Sequence, residues 1–252
     1  MKLRLVVLFL QYDNGKYPGA FGAVKEYLSL VDADKTYFVI DNLREGSYVN
    51  KISENEYLIG GDNSDWEFSG WQKGVQVLNQ LKVEYDVVLF VNDAFLAYGW
   101  SILQNHRLNE IVSKIVECGS LVGQLDTKEI KMDVNGFDVS DWICTNCFFM
   151  SRNLLQTVGN VVSVHYSDMG LFIDSKYYDG VPFFKPDALV SDSYKKMVVK
   201  WLTEEWHSKL KISDKTWEFY RHKVCAMLNE SLLTARVRKC GFKAVSYKEL
   251  IF

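Results

Sequence analysis

The residues able to do chemistry collect where apolar runs stop. The run Asp86-Val87-Val88-Leu89-Phe90-Val91 ends in Asn92-Asp93, and Leu3 to Gln11 is followed by Tyr12 and Asp13-Asn14-Gly15. Two more, Thr36 to Ile40 and Glu56 to Ile59, end in Asp41-Asn42 and in Gly60-Gly61-Asp62-Asn63. A carboxylate leaving a buried strand is costly unless it is hydrated, hydrogen-bonded or paired with a cation. Asp93 can therefore bind a divalent cation, ribose hydroxyls or a sugar. The competing use is a cap on the next element, for which Asn and Asp both serve well. One such cluster would be a turn, whereas repetition at successive strand ends points to a site.

The runs themselves predict the elements that carry these residues. Leu3 to Gln11 is continuously apolar and rich in Val and Leu, which marks a strand buried on both faces of a parallel sheet. Ala20 to Val31 reads as a helix, with Phe21, Val24, Tyr27, Leu28 and Val31 at spacings of three and four. Phe68 to Leu81 reads likewise, with Trp71, Val75, Leu78 and Leu81 on one stripe, and Tyr85 to Val91 is the next strand. The order β-α-β-β-α-β puts the polar clusters at carboxyl ends of strands, where open α/β sheets bind ligands. Further on, the pattern predicts a helix over Ile102 to Cys118, a strand over Leu121 to Leu125 and a polar loop from Asp126 to Asp141. A strand over Trp142 to Met150 and a helix over Arg152 to Val158 follow. Two long helices, Ser193 to Leu210 and Asp214 to Val237, carry Trp201 with Trp206 and Trp217 with Tyr220. Without a linker, repeat or low-complexity tract, the expectation is one α/β domain with a helical C-terminal portion.

Composition narrows the function classes. With 252 residues, 48% of them hydrophobic, the chain can bury a substantial core,. Three prolines and 24% charged residues argue against a disordered or fibrous protein,. The 29 basic and 32 acidic side chains leave a formal net charge of -3, against nucleic acid as the main partner,. The longest apolar run near the start, Leu5 to Leu10, is too short for a bilayer span or a signal peptide despite Lys2 and Arg4. Five irregularly spaced cysteines suit free thiols in a reducing compartment,. The expected location is cytoplasmic.

Taken together, Asn63-x-x-x-Glu67-Phe68-x-x-Trp71, an amphipathic helix and an apolar strand ending in Asn92-Asp93 resemble a known family. This is the rhamnan synthesis protein F type of glycosyltransferase from bacterial cell-surface polysaccharide pathways. There an Asn-x-Gly-x-Asp-Phe-type segment precedes a strand ending in Asn-Asp-Ser; here Asp65 stands where Gly would be, Glu67 replaces Asp, and Ala94 replaces Ser. The stretch Thr145-Asn146-Cys147-Phe148-Phe149-Met150-Ser151-Arg152 resembles the family's strand-helix passage on the acceptor side. Asn229-Glu230-Ser231-Leu232-Leu233, with Arg236 and Gly241-Phe242, resembles the Glu-x-x-Leu…Gly segment of related GT-A transferases. The likeness runs over roughly residues 1–245, without the family's proline after Asn-Asp-Ser and without Asp-x-Asp.

The resemblance implies a GT-A-like (Rossmann-like) fold, a mixed, mostly parallel sheet flanked by helices. Residues 1–252 form one such domain, with a nucleotide-sugar-binding half (1–125) and an acceptor-side half (126–252). It implies transfer of a sugar from a nucleotide-diphosphate sugar to a glycan or lipid-linked saccharide in surface-polysaccharide biosynthesis. Gln11, Tyr12, Asp41 and Asn42 are then candidates for the base and ribose, with Glu67 and Trp71 matched to the family's donor segment. Asn63, Asn92 and Asp93 would face the ribose, the diphosphate or a metal. Mg²⁺ or Mn²⁺ could bind through Asp93, because hard oxygen ligands suit those ions. An inverting transferase also needs a carboxylate to take the acceptor proton. Glu230 is the leading candidate and Asp141 the second; a solvated carboxylate paired with Arg or Lys is the competing reading of Glu230. Two alternatives stay open: a scaffold of the same fold without transfer activity, and a nucleotide-sugar hydrolase.

Cys144-x-x-Cys147 with His222-x-x-Cys225 has the pair spacing of a zinc site. In a strand, however, residues three apart point to opposite faces, so buried free thiols are the preferred reading. Lys195, Lys196, Lys200 and Lys209, interleaved with Val198, Trp201, Leu202 and Trp206, could form a peripheral membrane face. Packing on the core is the competing and preferred reading. His106, His165 and His207 show no ligand or triad spacing, and neither a serine-hydrolase elbow nor a phosphate loop is present.

Overall fold

A computed structural model of the chain describes residues 2–12, 15–98, 102–167, 170–173, 183–205 and 211–251. Asp13, Asn14, Trp206, His207 and Lys209, named above, lie outside the described residues.

The apolar runs become strands of one sheet. In the first half these are β1 (Leu3–Gln11), β2 (Ala33–Asp41), β3 (Val49–Ser53), β4 (Glu56–Gly60) and β5 (Val87–Asn92). Helices α1 (Ala20–Ser29) and α2 (Glu67–Gln80) connect them. Next come α3 (Leu108–Cys118), β6 (Leu121–Thr127), the short hairpin β7 (Asp133–Val134) and β8 (Phe137–Asp138), β9 (Asp141–Ser151) and α4 (Arg152–Val158). The chain finishes with α5 (Asp192–Lys200), α6 (Trp217–Lys239) and β10 (Ala244–Ser246).

Eight strands lie in the order β10-β6-β9-β5-β1-β2-β4-β3. Within the sheet β3 and β9 run antiparallel to their neighbours and the remaining pairs are parallel. The predicted α/β class, with a mostly parallel mixed sheet flanked by helices, is therefore observed. The alternation of β1 explains its unbroken apolar run. Val6, Leu8 and Leu10 pack under α2 and α4, while Leu5, Val7 and Phe9 pack under α1 and α3. A third cluster joins α5, α6 and the β7–β8 hairpin through Val134, Tyr194, Val198, Tyr220 and Val224. Helix α6 ties two clusters together, with Leu233 and Val237 under the sheet and Trp217, Tyr220 and Val224 in the third.

Several local departures have physical causes. The helix expected over Ile102 to Cys118 breaks after a 3-10 turn at Ile102–Gln104. Asn105 Oδ1 accepts Arg107 N–H at 2.9 Å, an Asx turn that competes with helix,. The polar loop after β6 contains the β7–β8 hairpin, turned by Asn135 and Gly136 at φ 52° and 75°,. Strand β3 was invisible to periodicity because its residues are all exposed, as befits a sheet edge. The apolar side of α5 is spent on the core through Tyr194 and Val198. Among the described residues, no helix is long and apolar enough to cross a membrane.

Candidate functional site

Strand β1 lies between β2 and β5, so the chain leaves it to one side and later returns to the other. At such a reversal the connections diverge and leave a crevice beyond the carboxyl ends of the strands. A cavity of about 1140 Å³ sits there. Tyr12, Asn42, Asn63 and Glu67 line it from the ends of β1, β2 and β4 and the start of α2. Asn92 and Asp93 line it from the end of β5, and Glu230 from α6.

Register explains the gathering. Gln11 pairs with Asp41 and Leu10 with Asn92, so the residues following those strands emerge side by side. Asp93 is 4% exposed, and its carboxylate accepts Tyr12 N–H at 2.8 Å. The burial cost is thus met partly by a neighbouring strand end. Asn42 Nδ2 donates to Asn63 Oδ1 and to Trp66 O, each at 3.1 Å, fastening the Gly61–Trp66 loop to the end of β2. Two glycines make room for this. A Cβ on Gly61 would lie 2.0 Å from Asn42 Oδ1, and one on Gly70 2.7 Å from the same atom.

Glu230 faces the cavity from α6 and is anchored to β9. Its Oε1 accepts Thr145 N–H at 2.6 Å and the Thr145 hydroxyl at 3.0 Å. Burial pushes its carboxyl up from the usual range, the Thr145 bonds and Lys223 oppose that, and the charge of Glu67 reinforces it. A raised carboxyl pKa brings a general base closer to neutral operating pH. The preceding residue, Asn229, is fully buried and satisfied: Oδ1 accepts Ser163 and Val164 N–H, and Nδ2 donates to Val164 O and Cys225 O. Position 229 therefore fixes the helix, and position 230 projects into the cavity.

Four predicted positions do not join the lining. Trp71, expected on the donor, is fully buried in the core. Its ring packs edge-on against Phe68, Phe90 and Phe148 at 5.4–6.0 Å, because the stripe of α2 that carries it faces the sheet. Asp141, the second candidate base, is instead held by both terminal nitrogens of Arg238, with Nη2 2.8 Å from Oδ2. Asp41 is taken up locally, accepting Leu43 N–H at 3.1 Å and Arg44 Nε at 2.9 Å. Gln11 contributes its backbone, its carbonyl accepting Asn42 N–H at 3.0 Å. Gln11 and Asp41 are the last, paired residues of β1 and β2, and it is the residues after them, Tyr12 and Asn42, that reach the cavity.

Residues that sequence reasoning did not assign complete the walls. Lys16, Lys128, Lys196, Lys200 and Lys223 reach the cavity, as do Asp126, Glu129 and Glu205. Lys128 pairs with Asp126 at 3.2 Å and Lys200 with Glu205 at 3.6 Å. Trp66, Trp142, Trp201 and Phe219 add aromatic surface. Lys128 follows the end of β6 and could have been suspected from that position. Lys223 gave no signal, since its place depends on how α6 crosses β9, and Thr145 was marked only through the acceptor-side resemblance.

Cys144 lines the cavity, whereas Cys147 is buried in the cluster under α1 and α3, so the pair points to opposite faces as strand geometry requires,. Burial raises the Cys144 thiol, and Glu230 and Asp126 push it further the same way, which disfavours a reactive thiolate,. His222 stacks on Tyr166 with ring centroids 3.6 Å apart, and Cys225 Sγ donates to Val164 O at 3.4 Å. Among the described residues, no group of three or more His, Cys, Asp or Glu side chains could hold a metal ion. No protein-family model matches the chain, and no curated protein matches it.

Proposed function

We propose that the chain is a GT-A-type glycosyltransferase, using a nucleotide-diphosphate sugar and extending a saccharide of a surface glycan, in line with its resemblance to the rhamnan synthesis protein F group. The observation that carries this reading is the convergence of Asn42, Asn63, Asn92 and Asp93 with a carboxylate of raised pKa, Glu230, in one cavity at the sheet reversal. The amide and carboxylate groups at the strand ends suit ribose and diphosphate, and the lysines on the facing walls suit phosphate charge. Glu230 takes the proton of the acceptor hydroxyl, whose oxygen attacks the anomeric carbon. The bond from that carbon to the phosphate oxygen breaks, and the nucleoside diphosphate leaves with the electron pair. Assigning Glu230 as base makes the reaction inverting.

A divalent cation fits this site only as one shared with the donor. Asp93 supplies one carboxylate, and Asn92 Oδ1 beside it is a buried acceptor without a hydrogen-bond partner among the described residues. A bound cation would offset charge on the leaving diphosphate. Those two residues would hold it, with phosphate and water filling the other positions.

The experiment is a thermal-shift screen against UDP, GDP, dTDP and CMP, each with and without Mn²⁺, on wild type and Asp93→Asn. A ligand of the native state raises apparent stability by about 2.7 kcal/mol at a hundredfold excess over Kd. One nucleotide should shift the wild type selectively, and Asp93→Asn should lose both that shift and transfer while staying folded. No shift with any nucleotide would turn the assignment towards a scaffold of the same fold.

A further inference from the structure

Two rare backbone features carry two tryptophans to the same lysine in the cavity wall. Trp66, the residue before α2, has φ 54° and ψ -129°, a conformation that bulky side chains seldom adopt,. Such strain persists where the surroundings enforce it, often at ligand sites. Here Asn42 Nδ2 and Ser69 Oγ both donate to Trp66 O at 3.1 Å. The indole is half-buried, lies parallel to the His222 ring at 6.5 Å and lines the cavity. Trp201 opens the π-helical turn Trp201–Glu205 that follows α5, and its indole also lines the cavity. π-Turns are uncommon and frequent at functional sites. Lys223 Nζ lies 5.6 Å from the centroid of Trp66 and 5.4 Å from that of Trp201. Phe219, one turn earlier on α6 and 40% exposed, packs against Trp66 at 5.6 Å.

We propose that Trp66, Trp201 and Phe219, with Lys223 between the indoles, form a subsite for a neutral pyranose residue of the acceptor glycan. The apolar C–H face of a sugar ring stacks on indole, and an ammonium at the ring edge donates to hydroxyl oxygens. Lys223 and Glu230 are seven residues apart on α6, hence on one face and about 10 Å apart along its axis. The subsite therefore receives an inner residue of a chain whose terminal hydroxyl reaches Glu230, which makes the acceptor an oligosaccharide and not a single sugar.

This inference rests on the proposed transfer reading but is tested apart from it. Fluorescently labelled protein is applied to an array of bacterial surface glycans of graded length, as wild type, Trp66→Ala, Trp201→Ala and Trp201→Phe. Aromatic anchors carry much of a site's affinity, so each alanine variant should weaken binding of the longer glycans about tenfold or more. Trp201→Phe, which keeps a stacking face, should recover most of it, and separates loss of stacking from loss of fold. Binding of no glycan, or equal binding by all variants, would overturn the subsite. A nucleotide shift without glycan binding sinks the subsite alone, whereas glycan binding without any nucleotide shift sinks the transfer reading and leaves the subsite standing.

Discussion

Glu230 is the residue whose behaviour most directly tests the chemistry. Because burial raises its carboxyl pKa, the folded protein holds this proton more tightly than the unfolded chain. The stability contributed by that proton is fully present below the unfolded value and is lost as pH rises through the folded one. Glu230→Gln cannot ionise, so its thermal midpoint should gain on the wild type as pH rises above the ordinary glutamate range, about 4.3, until Glu230 itself ionises in the folded protein. Parallel midpoint profiles would remove the buried-carboxylate argument. In the assay of transfer, the same variant should lose about 10²–10⁴-fold in kcat while nucleotide affinity stays unchanged. Trp71 makes the opposite case. Its Nε1 is buried without a hydrogen-bond partner among the described residues, so Trp71→Phe removes an unsatisfied donor and keeps an aromatic ring,. Its cost in urea unfolding should fall well below the roughly 3–5 kcal/mol typical of a tryptophan-to-alanine change in a core. Nucleotide affinity should not move; a selective loss of it would return Trp71 to the donor site.

At the scale of elements, the loop between β4 and α2 is where small changes should matter most. Added to Gly61, a Cβ would also meet Asn42 Cα at 3.1 Å, and on Gly60 it would meet Glu45 O at 1.8 Å. Gly61→Ala should cost about 1–3 kcal/mol by overpacking and displace Asn42 from Asn63 and Trp66. Urea unfolding and nucleotide titration of that variant should both weaken, and an unchanged titration would detach Asn42 from the site. Much of this layer was legible beforehand. Continuous apolar runs identified β1 and β5, and the three-and-four spacing identified α1 and α2, because burial imposes those periods on sequence. Edge strand β3 and the β7–β8 hairpin were not legible in that way. The first buries too little to show alternation, and the second is too short for any period, although Asn135-Gly136 between Val134 and Phe137 carries the turn chemistry.

Across the whole molecule, the first and second halves of the chain are interleaved in one sheet. Strand β9, from the second half, lies between β5 and β6 of the first. Helix α6 then contributes to the core under the sheet and to the cluster built with α5. Calorimetry should therefore record a single unfolding transition with calorimetric and van't Hoff enthalpies in agreement. Two resolved transitions would indicate independent halves.

Sequence alone determined the α/β class, the strand-end placement of the polar clusters and the separation of Cys144 from Cys147. Each follows from rules that act within a few residues: unbroken apolarity for a strand covered on both faces, and alternation along it. The same rules located Tyr12, Asn42, Asn63, Asn92 and Asp93 as candidates, and the family resemblance added Glu230, without saying that they meet. Only the tertiary structure decided that they do, through the strand order around β1 and the crossing of α6 over β9. It also decided that Trp71 serves the core, that Asp141 is committed to Arg238, and that Lys223 sits between Trp66 and Trp201. Those outcomes depend on contacts between segments far apart in the chain, and no local period or spacing records which of two amphipathic faces will find a partner.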